Sequence, residues 1–213
     1  MHAQISKGSH FLGGSLGFAN SKEENQAGTS TSTSSSDNWN INLQYGRAFA
    51  DNRIVGLYLF TGGNNTKSNG GFTSNQSKSN TIGGGAFFRQ YYGLSSRWYV
   101  FGEVQAGYSH TEEQVKVDNN VVSKGKGWMA STSLSPGLSF AASRKLQFEI
   151  ELSNFLSFYY SDFNSRSFFA NGSLNQETDR KQFVGQANLN PVSSISIGVR
   201  WIIPTRQKNS SPS

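Results

Sequence analysis

The sequence predicts an all-β fold: a closed, eight-stranded, antiparallel up-and-down transmembrane β-barrel, with short periplasmic turns and long extracellular loops. Three observations predict it. Apolar and polar residues alternate with period two in eight separate segments, and the connections between those segments alternate short and long. One face of the segments is small, polar and ionic, whereas the other is bulky and apolar.

The first segment runs from about Gly8 to Asn20, where Leu12, Gly14, Leu16 and Phe18 oppose Gly13, Ser15, Gly17 and Ala19. In the second, about Asn38 to Ala50, the run WNINLQYG alternates without error, setting Trp39, Ile41, Leu43 and Tyr45 against Asn40, Asn42, Gln44 and Gly46. The third, about Arg53 to Gly62, sets Val55, Leu57 and Leu59 against Gly56, Tyr58 and Phe60, a more aromatic second face. The fourth, Thr81 to Tyr92, opposes Ile82, Ala86 and Phe88 to Gly83, Gly85, Phe87 and Arg89. In the fifth, Trp98 to Ser109, Val100, Val104, Ala106 and Tyr108 face away from Phe101, Glu103, Gln105 and Gly107. The sixth, Trp128 to Ala142, carries a ladder of serines (Ser131, Ser133, Ser135, Ser139) opposite Leu134, Leu138 and Phe140. The seventh, Leu146 to Phe158, opposes Leu146, Phe148, Ile150 and Leu152 to Gln147, Glu149 and Glu151. The last, about Val192 to Ile203, sets Ile195, Ile197, Val199 and Trp201 against Ser194, Ser196, Gly198 and Arg200. Each segment is of the length, roughly 9 to 13 residues, that a tilted strand needs to cross hydrocarbon.

Short connections fall at Asp51 to Asn52, Gly93 to Arg97 and Ser143 to Lys145; long ones at Ser21 to Asp37, Thr61 to Asn80, His110 to Gly127 and Tyr159 to Pro191. An even strand number, tight turns on one rim and long polar loops on the other make the layout of an outer-membrane barrel. Within the first long loop, Thr29 to Ser36 is a low-complexity Ser/Thr run, expected to be a mobile, solvated spacer, with an O-glycosylated or adhesive loop tip as the alternative.

The width of the lumen decides which face is wet. An eight-stranded barrel has an interior just wide enough to be filled by side chains, and four Trp with many Leu, Ile and Phe would overcrowd it. The small polar face therefore points inward and the apolar face outward, where it forms a belt larger than a soluble monomer tolerates. Closure removes the sheet edges and pairs every backbone group, as hydrocarbon requires. Trp39, Trp98, Trp128 and Trp201, with Tyr45, Tyr92 and Tyr108, lie near strand ends, as an interfacial aromatic girdle demands. The inward charges Arg89, Glu103, Glu149, Glu151 and Arg200 must be paired in so confined a space. They are expected to form a structural network plugging the lumen, with Arg89 diagonally across from Glu103.

Composition is consistent with this and excludes other classes. Hydrophobic residues make up 35% of the chain, but they fall in short regular bursts, so the low average does not signal disorder. No apolar run is long enough for a spanning helix. The net charge of +6 is spread over turns, loops and the C-terminal tail without a single basic stripe, which argues against nucleic acid. Met1-His2-Ala3-Gln4 lacks the basic and apolar regions of a signal peptide, so the chain is expected to be a mature form, with Ala3-Gln4 as the remnant of a processing junction; a native cytosolic start is the alternative.

The stretches Gly85-Ala86-Phe87-Phe88-Arg89-Gln90-Tyr91-Tyr92, Trp98-Tyr99-Val100-Phe101-Gly102-Glu103 and Leu134-Ser135-Pro136-Gly137-Leu138-Ser139-Phe140 resemble the Bacteroidota-type outer-membrane β-barrel family, in which pieces of the form PFxRYY, FGE and SPGLSY occur in this order. The resemblance covers about Gly8 to Ile203 and implies an eight-stranded barrel of the OmpA/OmpX kind. Such barrels commonly stop at a terminal aromatic; here the chain continues into Pro204-Thr205-Arg206-Gln207, leaving Trp201 or Ile203 to serve. No peptidoglycan-binding segment follows, so a periplasmic anchoring role is not expected.

Some small outer-membrane barrels are lipid-modifying enzymes, which makes Ser109-His110 with Glu112 the one constellation to weigh. Adjacent strand residues point to opposite faces, so the pair is badly placed for activation of a nucleophile, and no catalytic residue is expected. The chain has no Cys, no paired His and no calcium-loop pattern, so neither metal nor cofactor is expected. Gly13-Gly14, Gly62-Gly63 and Gly83-Gly84-Gly85 read as bends and close strand packing rather than phosphate loops.

The expected organisation is an N-terminal periplasmic segment at residues 1–7, a barrel at 8–203 and a flexible tail at 204–213, placed in the bacterial outer membrane. The expected role is structural, surface-interacting or accessory, through the long loops. A narrow porin-like channel is the runner-up, and a lipid-modifying enzyme or a soluble lipocalin-like lipid carrier stands further back. Expected partners are outer-membrane lipids or lipopolysaccharide and other outer-membrane proteins, with no nucleic acid; the barrel is expected to be a monomer or an accessory subunit.

Overall fold

The computed structural model describes residues 5–27, 30–70, 73–169, 172–187 and 195–204. Apart from a break in the seventh segment and the first residues of the first, the period-two segments among them are strand, in ten pieces: β1 His10–Ala27, β2 Ser30–Ala50, β3 Arg53–Gly70, β4 Thr73–Gly93, β5 Trp98–Val117, β6 Asn120–Ala141, β7 Leu146–Leu152, β8 Leu156–Phe168, β9 Leu174–Ala187 and β10 Ile195–Ile203. All pairings are antiparallel. Consecutive strands from β1 to β7 are paired, β7 pairs with β10 and β10 returns to β1, which closes a ring of eight. Above that ring β6 pairs with β8 and β8 with β9, so the wall continues upward with β8 and β9 standing in line with β7 and β10.

The short turns set the register at one rim. Ala50 pairs with Arg53 across Asp51-Asn52, and Asn52 takes a positive φ of 59°, which Asn tolerates better than most residues. Leu94 and Ser95 donate backbone N–H groups to Trp98 O, closing the turn between β4 and β5. On this rim the segment before β1 folds inward: Ile5 N donates to Asn52 Oδ1, Asn52 N donates back to Ile5 O, and Ile5 is buried.

The long connections differ from the expectation. Most of their residues continue the strands, which reach 18 to 22 residues in β1 to β6. Above the hydrocarbon both faces of a strand are wet, so alternation fades from the sequence although the backbone ladder persists. The connection between β5 and β6 shrinks to Asp118-Asn119, both with positive φ (47° and 67°), a tight hairpin closure between paired Val117 and Asn120. Asp118 also ties this tip to β4, its N donating to Ser74 O and its Oδ1 accepting from Ser74 N, each at 2.8 Å.

The Ser/Thr run is likewise no spacer: Ser30–Ser36 is part of β2, and Ser32–Ser36 is paired with β1 on one side and β3 on the other. Thr29 lies outside the described residues. The seventh segment, expected as one strand from Leu146 to Phe158, is broken at Ser153–Phe155, where Asn154 takes φ 54°. Across the break the partner on β6 moves from Glu151↔Gly137 to Leu156↔Leu134. Because this inserts two residues, it preserves which face each side chain occupies. The start of the last predicted segment, Val192–Ser194, the first four residues with the Ala3-Gln4 junction, and the tail from Thr205 all lie outside the described residues.

Candidate functional site

Strand alternation carries Gln44, Arg89, Tyr91, Glu103, Gln105, Glu149, Glu151 and Arg200 into the lumen from β2, β4, β5, β7 and β10. Arg89 is at the centre, with no solvent exposure. Its Nε is 2.5 Å from Glu103 Oε2, its Nη1 2.6 Å from Glu149 Oε2, and its Nη2 3.5 Å from Glu151 Oε2. Arg89 and Glu103 face each other directly in the β4–β5 register rather than on the expected diagonal, because the turn shifts the pairing to Gly93↔Tyr99. Tyr91 closes a smaller circuit: its hydroxyl accepts from Arg89 Nη1 at 3.1 Å and donates to Glu149 Oε1 at 2.6 Å. Gln44 Nε2 and Gln105 Nε2 both donate to Glu103 Oε1.

Arg200 reaches the same cluster from β10, its Nε 3.0 Å from Glu149 Oε2. That N–H does not point at a hydrogen-bond acceptor, so the contact is an ion pair without a hydrogen bond; Nη1 donates instead to the carbonyls of Gly14 and Val199. The structure thus brings all five inward charges together. Sequence reading missed Tyr91, Gln44 and Gln105 as members, although their inward positions on the alternating strands were available as a signal.

Beneath the charges, towards the tight-turn rim, the lumen is apolar, contrary to an interior of mainly small and ionic groups. Phe11, Ala48, Ile54, Phe87, Tyr91, Tyr99, Phe101 and Ile202 form one buried cluster, capped by Ile5. The Arg89 guanidinium carbon sits 4.3 Å from the Phe101 ring centroid and 5.3 Å from that of Phe11, and Arg200 lies 5.7 Å from Phe11. Aromatic faces therefore carry part of the cations' desolvation. These rings find room because glycines face them: a Cβ on Gly137 would overlap Phe101, and one on Gly107 would overlap the Tyr58 hydroxyl.

Between the two rims of the ring, the opposite face of its strands is apolar and uncovered. Leu16, Leu43, Leu57, Leu59, Ile82 and Ile197 are each more than half exposed. Aromatic residues bound this belt at both ends: Tyr92, Trp98 and Trp201 near the tight-turn rim, and Trp39, Tyr108 and Trp128 towards the long hairpins, where Trp128 contacts Tyr108 and Tyr160 at ring distances of 5.8 and 5.4 Å. Tyr45 stands on the outer wall with its hydroxyl 2.8 Å from His10 Nδ1. From Trp98 to Tyr108 along β5 the strand rises roughly 33 Å; tilted by about 40°, that projects to about 25 Å, the height of an outer-membrane apolar band. A closed wall of this kind is built to meet hydrocarbon, since a soluble monomer leaves only small apolar patches exposed.

Ser109 and His110 point to opposite faces as neighbours on a strand must. Ser109 is buried in the lumen, whereas His110 is on the outer side, its Nε2 3.7 Å from Glu112 Oε1. Among the described residues no group of three or more His, Asp and Glu is placed to hold a metal ion.

No family model matches the chain, and no curated protein matches it. Among solved structures the chain is similar to the outer membrane protein OprG from Pseudomonas aeruginosa, at 12% identity over 96% of this chain and 100% of that one, with a TM-score of 0.49. It is similar to Neisserial surface protein A at 12% identity, 92% and 99% coverage and a TM-score of 0.37. It is also similar to Ail, the attachment invasion locus protein of Yersinia pestis, at 12% identity, 92% and 95% coverage and a TM-score of 0.29. None of these scores reaches 0.5.

Proposed function

We propose that the chain is an integral barrel of a bacterial outer membrane, stoppered by its own side chains, and that it acts through the hairpins on its extracellular rim. The observation that carries this reading is the unbroken apolar outer face on a closed ring, bounded by aromatic residues at two levels. No other solvent satisfies both that face and the paired backbone of a closed wall. The tight-turn rim is then periplasmic and the long hairpins extracellular. The Arg89–Glu103–Glu149 core over the Phe11–Phe101 layer closes the lumen, so the barrel does not conduct, and its role is non-enzymatic: structural, surface-interacting or accessory. The PFxRYY-like, FGE and SPGLS pieces favour the Bacteroidota-type branch of such barrels.

A narrow pore is the second reading, favoured by buried polar atoms without a protein partner in the lumen, Asn42 Oδ1, Ser109 Oγ and Ser157 Oγ. Such groups take water as a partner, but Arg89 and the aromatic layer lie between them and the tight-turn rim. The discriminating experiment is single-channel recording in planar bilayers. The stoppered barrel gives no steady open state; a steady conductance in the intact chain would establish the pore.

A further inference from the structure

On the outer wall, just above the aromatic residues at the hairpin end, the face that meets lipid turns basic. Strands β4, β5, β6 and β8 align Lys78, Gln114, Lys124 and Arg166 in one row, and Asn80, Glu112, Lys126 and Asn164 in the row below it. These positions are even-numbered, on the same face as Ile82, Tyr108, Trp128 and Tyr160, and no register shift intervenes between them. Both rows line a hollow of about 520 Å³. Lys126 is one alternation beyond Trp128, about 7 Å along the strand, so the hollow sits at the level of the headgroups.

Among the described residues, the ammonium groups of Lys78, Lys124 and Lys126 have no hydrogen-bond or ion-pair partner. Of the other outward groups there, Arg166 gives its Nε and Nη2 to Glu177, Asn164 donates to Glu177 and Asp179, and Glu112 lies beside His110. Lys78 and Lys124 are two strands apart, about 10 Å, and Lys124 and Lys126 about 7 Å apart along one strand. One phosphate cannot span three ammonium groups so spaced. Two phosphates joined by sugars can, while Gln114 and Asn80 offer amides, and Glu112 a carboxyl, to sugar hydroxyls.

We infer that this hollow binds the phosphorylated glycolipid headgroup of a lipid in the extracellular leaflet, with Lys78, Lys124 and Lys126 holding its phosphates. The inference rests on the membrane-barrel reading above, which sets these lysines facing the leaflet.

The test uses the full chain inserted into phosphatidylcholine vesicles containing bis-phosphorylated lipid A, dephosphorylated lipid A or phosphatidylglycerol, with retained lipid counted by native mass spectrometry after gentle detergent extraction. The chain is expected to retain bis-phosphorylated lipid A, and free inorganic phosphate is expected not to displace it. The triple variant Lys78→Gln, Lys124→Gln, Lys126→Gln, shown to be folded by its heat-dependent gel mobility, is expected to retain it at least about tenfold less. Equal retention of the dephosphorylated lipid, of phosphatidylglycerol, or by the triple variant would overturn the headgroup site while leaving the barrel reading intact. Displacement by free phosphate would assign the lysines to a soluble anion instead. A chain that does not insert into any of the vesicles would overturn both.

Discussion

Arg89 holds three carboxyl groups and three aromatic rings within reach of one guanidinium, so its removal leaves uncompensated buried acids rather than a simple gap. Losing one partner of a buried ion pair costs about 3–5 kcal/mol. Arg89→Ala is therefore expected to lower the stability of the barrel by that order, read as a shift in the urea midpoint for reversible folding into vesicles. Arg89→Lys is expected to recover only part of it, because an ammonium lacks the fork that meets Glu103 and Glu149 separately. An unchanged midpoint in Arg89→Ala would remove the network from the account. A milder case lies at the hairpin end, where Asn164 first, and Arg166 with it, hold the exposed Glu177 carboxyl below its ordinary value of 4.5. A lowered folded-state value means that the charged form favours the β8–β9 hairpin. This contribution is present at neutral pH and above the ordinary glutamate range, and it is lost as pH falls through the lowered value. Carboxyl carbon NMR should show Glu177 titrating below the ordinary glutamate value of 4.5 and returning towards it in Asn164→Ala; titration at or above that value would contradict the assignment. The inward charges were legible from alternation alone. The aromatic layer was not, because Phe11 and Tyr99 were not assigned a face and Phe87 and Phe101, though placed on the polar face, are apolar residues whose depth and facing glycines only the closed ring reveals.

At the scale of elements, period two found the membrane-crossing part of each strand and lost the rest. Serine and threonine on both faces of Ser30–Ser36 give no contrast to read, yet Ser32–Ser36 has ladder partners on both sides. Hydrogen exchange is expected to show these amides protected relative to an open loop; exchange at the rate of an unstructured peptide would restore the spacer. The Asp118-Asn119 closure did carry a signal, since Asp and Asn are favoured where a two-residue turn needs positive φ. The break at Ser153–Phe155 carried a weaker one in Asn154, whose φ of 54° costs a side chain with a Cβ about 1–2 kcal/mol but is open to Gly. Asn154→Gly is expected to fold as the parent does, and Asn154→Val to lose roughly that amount. Equal stability of the two variants would mean that the left-handed turn is not a fixed feature of the wall.

For the whole molecule, the closed ring ties the two faces together: filling the lumen with Arg89 and its aromatic surroundings leaves the outer wall as the only place for Leu43, Leu57 and Ile197. This arrangement was readable because an eight-stranded ring has so little interior volume that the distribution of bulk between faces fixes their direction. The absence of native cysteine allows that direction to be measured site by site. Single cysteines placed in turn at Gln44, Leu43, Asn42 and Ile41, spin-labelled and inserted into vesicles, should alternate in collision with dissolved oxygen: high at Leu43 and Ile41, where labels meet acyl chains, and low at Gln44 and Asn42 inside the lumen. The reverse alternation, or none, would contradict the inside-out barrel.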